Sequence, residues 1–263
     1  MGGEVSVKIQ GGLANNLFQI ICAYAYSLKY DKQLMLVNEK FGITHNPIDA
    51  YKDNLFKNIK FYPNENFSNF SIYNEPQFNF SEIPSVDGNV YLQGYFQSEK
   101  YFLDYEKEIR NFLSYSENTI AIREKYKNEL EKNTCSIHVR RGDYLKFPEH
   151  HPVQNINYYM KAIRQMPDDS LFLLFSDDIT WCKENFPDLP EKFIFIEGNK
   201  DYEDLLLMSL CNNNIIANSS FSWWAAWLNE NKDKQVYAPS KWFGSANSSN
   251  NTSDLYCKNW NII

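Results

Sequence analysis

A chain of 263 residues can form one large domain or two smaller ones, and its 43% hydrophobic and 16% aromatic content excludes a disordered polymer. The net charge of -7 argues against broad binding to a nucleic-acid backbone, while a local arginine cluster can still hold a small anion. The five cysteines (Cys22, Cys135, Cys182, Cys211, Cys257) are scattered and unpaired in spacing, as reduced core thiols are, which speaks against a metal site.

In chain order, residues 5–9 alternate as a strand and run into Gly11-Gly12-Leu13-Ala14-Asn15-Asn16. A helix follows, with Leu17, Ile21, Tyr24 and Leu28 on one stripe, and residues 32–37 make the next strand. A strand, glycine turn, helix and strand predict a parallel, helix-covered sheet. The Gly-Gly pair lacks the full dinucleotide fingerprint, so it fits either a close ligand approach or a tight turn. Residues 40–90 show no clear period and read as loops and short helices around the mouth of a cleft. Residues 89–94 restore a strand, and Tyr95-Phe96-Gln97-Ser98 beyond it mixes aromatic and polar groups in the manner of a sugar-binding or partly buried stretch. Helices are expected over 104–113 and 117–132.

Cys135-Ser136-Ile137-His138-Val139 is a core strand, and Arg140-Arg141-Gly142-Asp143 follows it directly. Two arginines at the edge of a core strand call for an anionic ligand or for carboxylate partners such as Asp143. His138 shares a strand face with Arg140. Beyond it the alternation is regular: a helix over 157–166, a continuous apolar strand over 171–175 ending in Asp177-Asp178, a helix over 181–186, a strand over 193–196 and a helix over 202–210. A strand over 214–217, Asn218-Ser219-Ser220, a helix over 221–228 and a strand over 235–238 close the series. Trp223 and Trp224 read as a buried core helix. The pattern predicts two Rossmann-like halves, 1–130 and 131–263, with a cleft between them.

Ligands of open parallel sheets bind beyond the carboxyl ends of the strands. Four clusters occupy such ends: Gly11 to Asn16, His138 to Asp143, Ser176 to Asp178, and Asn218 to Ser220. Ser219 and Ser220 fit phosphate binding at a helix start, or ordinary capping. Asp177 or Asp178 fits the donor edge of guanine, or the cap of the next helix. No His, Cys or Glu stands nearby to complete a metal site with them.

These blocks, in this order and over almost the whole chain, resemble the bacterial α-1,2-fucosyltransferases of glycosyltransferase family 11. The resemblance rests on Gly11-Gly12-Leu13 with Asn15, Gly94-Tyr95-Phe96-Gln97-Ser98 with Tyr101-Phe102, His138-Val139-Arg140-Arg141-Gly142-Asp143-Tyr144, Phe175-Ser176-Asp177-Asp178, and Asn218-Ser219-Ser220-Phe221-Ser222-Trp223-Trp224. Ala14 and Asn16 depart from the glycine and glutamine usual there. The resemblance implies a GT-B-like pair of halves, the first on the acceptor side and the second binding the GDP-sugar, with GDP-β-L-fucose as donor, inversion at the anomeric carbon and neither metal nor other cofactor. It implies transfer to the 2-hydroxyl of a terminal galactose in an O-antigen or capsule type of glycan, as a free or lipid-linked oligosaccharide. Another linkage or GDP-sugar, or a non-catalytic nucleotide- or glycan-binding module, are the alternatives.

On that reading Arg140 neutralises the departing β-phosphate, with His138, Ser219 and Ser220 as further donors and Gly12 and Phe221 beside the donor nucleotide. Asp177 or Asp178 reads guanine, and Arg141 and Asp143 support the loop. Asp143, Asn15, His150 and His151 are the candidates for a base, and Tyr95 and Gln97 for acceptor contacts. No signal segment opens the chain, and no apolar run reaches the roughly 20 residues that cross a bilayer, so a cytoplasmic protein with room for peripheral association at the inner membrane face is expected.

Overall fold

The computed structural model describes residues 2–37, 48–62, 67–187, 189 and 191–263; parts of the unpatterned 40–90 stretch lie outside the described residues. The chain divides into two units, Met1–Asn118 with Asn251–Leu255, and Thr119–Asn250 with Tyr256–Ile263. The expected division at residue 130 had no such return of a C-terminal segment to the first unit.

The first unit begins with β1 (Glu4–Val7) and α1 (Leu13–Lys29). Residues 32–37 form two short strands, β2 (Gln33–Leu34) and β3 (Leu36–Val37), and the unit continues with β4 (Phe61–Tyr62), β5 (Phe70–Asn74), β6 (Asn89–Gln93) and α2 (Glu106–Phe112). The main sheet is parallel, in the order β2-β1-β6-β5, while β3 pairs with β4 in a separate parallel ribbon. α1 buries Leu17, Phe18, Ile20 and Ile21 completely. β5 is a correction to the loops expected before residue 90. Only one side of this edge strand is paired, and its burial does not alternate: Phe70 is buried but Ile72 is 60% exposed.

Helices α3 (Tyr115–Lys125) and α4 (Lys127–Leu130) lead to the second unit's strand β7 (Thr134–Val139). Then come α5 (Ile156–Ile163), β8 (Leu171–Ser176), α6 (Ile179–Asn185), β9 (Phe193–Phe195), α7 (Asp201–Leu210), β10 (Asn213–Ile215), α8 (Ser220–Leu228), β11 (Val236–Ala238) and β12 (Asn261–Ile262). All six strands are parallel, in the order β12-β11-β10-β7-β8-β9. Counted from β7, that is the 3-2-1-4-5-6 order of a doubly wound dinucleotide-binding fold, and its direction reverses between β7 and β10.

All six residues of β7 are buried, as in a strand covered on both faces. Cys135, Ile137 and Val139 join an apolar cluster with Tyr159 and Ala162 of α5 and Cys182 of α6. The alternate residues carry polar groups. The Asn214 amide donates to the Ser136 hydroxyl (2.7 Å) and to the Met208 carbonyl of α7 (2.8 Å), and the Asn229 amide donates to the Asn214 side-chain oxygen (2.8 Å). The Thr134 N–H donates to the Asn212 side chain, and the Gln235 N–H to that of Asn213, each at 2.8 Å. α8 lies in the core, with Trp223 and Trp224 fully buried, as its apolar sequence predicts.

Candidate functional site

In each unit the sequence-predicted residues gather at the carboxyl ends of two neighbouring strands where the sheet order reverses. In the second unit these strands are β7 and β10, with Asp177 and Asp178 at the end of β8 on the other side of β7. His138, near the end of β7, is 5% exposed, and its Nδ1 lies 2.9 Å from the Ser222 hydroxyl on α8. The Tyr144 hydroxyl donates to the Asn218 carbonyl at 2.9 Å, a second tie across the same point. Ser219 caps α8, its hydroxyl accepting from the Phe221 N–H at 3.3 Å, and Ser220 opens the helix. The capping reading is therefore realised at Ser219.

Arg140 holds Asp143 through Nη2 at 2.6 Å and Asp177 through Nη1 at 3.0 Å, with the guanidinium 5.6 Å from the Tyr144 ring centroid. Arg141 pairs with Asp178 through Nε at 2.9 Å and lies 4.0 Å over the Trp181 ring. Its own N–H donates to Asp177 Oδ1 at 2.9 Å. Asp178 also caps α6, accepting from the Trp181 N–H at 3.2 Å, and the hydrogen bond from Arg141 holds its carboxyl below the usual range. The expectation of Asp177 or Asp178 as guanine reader therefore meets carboxylates already engaged by arginine and backbone N–H groups. Two guanidinium charges face three carboxylates, so the cluster is not the bare cationic pair the sequence suggests. Side-chain exposures of 31% for Arg140 and 52% for Asp143 leave that pair open to water and to an incoming anion.

Gly142 leaves room for the Asp177 carboxylate: a Cβ there would lie 2.4 Å from Asp177 Oδ2, and that side chain would have to move. Tyr144 and Trp181, given no role by the sequence reading, buttress the two guanidinium groups. An aromatic directly behind the Arg-Arg-Gly-Asp run was the available signal for Tyr144. His151 stacks on Tyr144 with ring centroids 4.9 Å apart, and burial lowers its pKa. His150, half exposed beside Glu149, is a surface residue.

Burial, reinforced by Arg140, lowers the His138 pKa to about 3, so the ring is neutral at working pH. The unfolded chain takes up a proton near pH 6.5 while the native state does not, so acid removes stability between these values. The stability difference between wild type and His138→Asn should shrink by roughly 1.4 kcal/mol per pH unit from pH 6 to pH 4. Parallel pH–stability curves in chemical denaturation would show that His138 is not held neutral.

In the first unit the corresponding strands are β1 and β6. Gly11 has φ +84° and a Cβ there would meet the Asn15 amide at 2.6 Å, so the glycine requirement falls at Gly11; Gly12 is an extended N-cap and Ala14 is helical. Asn16 is 3% exposed and its amide donates to the carbonyls of Gln10 (3.1 Å) and Gly11 (3.3 Å). The Gln97 amide donates to Asn15 Oδ1 at 3.0 Å, tying the loop after β6 to the turn after β1. Tyr95 is 43% exposed. Asn15, Gln97, Tyr95 and Gly12 thus belong to one unit, and the arginine cluster to the other.

Among the described residues no group of three or more His, Cys, Asp or Glu is arranged to hold a metal, and no helix is long and apolar enough to cross a membrane. The chain is 29% identical to the O-antigen biosynthesis glycosyltransferase WbnK of Escherichia coli, over 94% of this chain and 98% of that protein. It is 31% identical to an alpha-1,2-colitosyltransferase of Escherichia coli, covering 91% and 92% respectively. Arabidopsis thaliana FUT1, solved as a mutant in complex with GDP, is similar in fold at 14% identity and a TM-score of 0.51, covering 90% of this chain and 70% of that one. The fold is accordingly α/β and GT-B-like, with two main parallel sheets among the described residues. A family model for glycosyl transferase family 11 matches residues 48–263, and the chain belongs to that family.

Proposed function

We propose that the protein transfers L-fucose from GDP-β-L-fucose, with inversion, to the 2-hydroxyl of a terminal galactose in a surface glycan. The observation that carries this reading is the Arg140 fork at the carboxyl end of β7, where the sheet order reverses, in a chain of family 11. Arg140 is the phosphate ligand. Developing negative charge on the β-phosphate draws the guanidinium from Asp143, whose pairing is weakened by solvent exposure. Asp177 keeps hold of the other guanidinium nitrogen and fixes its direction, a role its contacts favour over guanine recognition. The acceptor oxygen forms its bond to the anomeric carbon as the carbon–oxygen bond to GDP breaks. The electron pair leaves with GDP, and the hydroxyl proton passes to a base, for which the released Asp143 carboxylate is the candidate. Arg141, pinned between Asp178 and Trp181, holds the turn in place.

A second reading is favoured by the colitosyltransferase relative: colitose is fucose without its 3-hydroxyl, so the same site would take GDP-colitose. Assays with GDP-fucose and GDP-colitose on a lactose-type acceptor, with linkage determined by NMR, separate the two. Release of GDP without a new α-1,2 linkage from either donor sinks the proposal. With phosphate charge met by arginine, turnover should persist within about twofold in EDTA; full loss restored by magnesium or manganese would overturn the metal-free mechanism. The protein's free cysteines and nucleotide-sugar donor support a cytoplasmic reaction, with room for peripheral association at the inner membrane face.

A further inference from the structure

Glu75 follows the last residue of β5, at the carboxyl edge of the first unit's sheet, and serves none of the chemistry above. Its carboxylate accepts the Tyr95 N–H at 2.7 Å and the Phe96 N–H at 3.1 Å, and the Tyr101 hydroxyl donates to it at 3.3 Å. Gly94 leaves room for this clamp, because a Cβ there would lie 2.5 Å from that of Glu75. The backbone so gripped turns through Phe96 at φ +52°, a left-handed conformation costly for a bulky residue and kept only where the surroundings dictate it. The turn sends the Phe96 ring into the core, edge-on to Tyr101 at 5.3 Å, and leaves Tyr95 exposed. Gln97, next along, reaches Asn15 across the β1–β6 reversal. A half-buried carboxylate, acceptor of hydrogen bonds only, suits two adjacent N–H groups that no strand satisfies.

We propose that Glu75 is a positioning residue for the sugar acceptor, fixing the 94–97 turn so that Tyr95 and Gln97 present one rigid surface to it. This rests on the transferase reading and its acceptor role for that turn. The N–H bonds and the Tyr101 hydroxyl oppose the upward push of burial on the Glu75 pKa, with Tyr73 and Cys22 the other titratable groups coupled to it. A glutamine would keep one acceptor atom but turn an NH2 toward the other N–H, and alanine would remove both.

The test compares wild type, Glu75→Gln, Glu75→Ala and Tyr101→Phe. Steady-state kinetics use a lactose-type acceptor and whichever donor wild type uses, and calorimetry measures GDP affinity. Acceptor KM should rise about tenfold in Glu75→Ala and about threefold in Glu75→Gln, with GDP affinity within about twofold of wild type. Tyr101→Phe, which leaves both N–H bonds in place, should move acceptor KM in the same direction by less. Should Glu75→Ala fail to melt cooperatively, the other two variants decide. Unchanged acceptor KM in an active series overturns the proposal and leaves the transferase reading standing. So does a parallel fall in GDP affinity, the mark of general damage. An inactive wild type with every donor and acceptor overturns both.

Discussion

Arg140→Lys is expected to lower kcat about a hundredfold, and Arg140→Ala about a thousandfold, with little change in melting temperature. The guanidinium grips Asp143 and Asp177 through two different nitrogens, a fork that a single ammonium cannot span. Lysine would sit on one carboxylate or the other, and a phosphate arriving at the site would find a cation already turned aside. Stability should change little because the side chain is partly exposed and solvent screens its pairs. Steady-state turnover and thermal melting on the same preparations check both halves of this expectation. Near-normal kcat in Arg140→Lys would remove the phosphate role from this residue.

Gly142→Ala is the second large effect, and it should act at a distance from its own methyl group. The added Cβ would displace the Asp177 carboxylate, breaking its contacts to Arg140 and to the Arg141 N–H together. A fall in kcat/KM for donor of tenfold or more, about 1.4 kcal/mol of transition-state stabilisation, is expected. A double-mutant cycle isolates the cause. In an Asp177→Ala background the obstructing oxygen is gone, so the same glycine replacement should cost almost nothing further. Additive losses in the double variant would mean that Gly142 matters for some reason other than room for Asp177.

The second unit was legible because its strands are continuous apolar runs with polar clusters directly behind them. Leu171 to Phe175 is buried residue by residue, and the clusters expected at the ends of β7, β8 and β10 do occupy the carboxyl edge. Pairing within the site was less legible. Spacing in the chain cannot show that Asp177 and Asp178, 37 residues beyond the arginines, meet them one each across adjacent strands. Side-chain alternation along β7 places His138 and Arg140 on the same face, but not the burial that keeps His138 neutral. In the first unit β5 was missed because an edge strand with an exposed Ile72 lacks the alternation that marks a half-buried one. Glu75 stood in that same unpatterned stretch, and its importance comes only from β5 lying beside β6.

The amides at the amino end of the second sheet bear on how the arginines come to face the right way. Both faces of β7 are buried, so solvent does not choose between them, and its alignment is fixed where the polar residues of one face find their partners. Sliding β7 by one residue past β10 would exchange its two faces and swap Arg140 with Arg141. The Thr134 N–H on Asn212 and the Ser136 hydroxyl on Asn214 oppose that slip, because either would be left buried without its partner. Asn214 is thus a vernier stop at one end of the strand for charges delivered at the other, and an apolar replacement there would loosen the aim of the site before it loosened the fold.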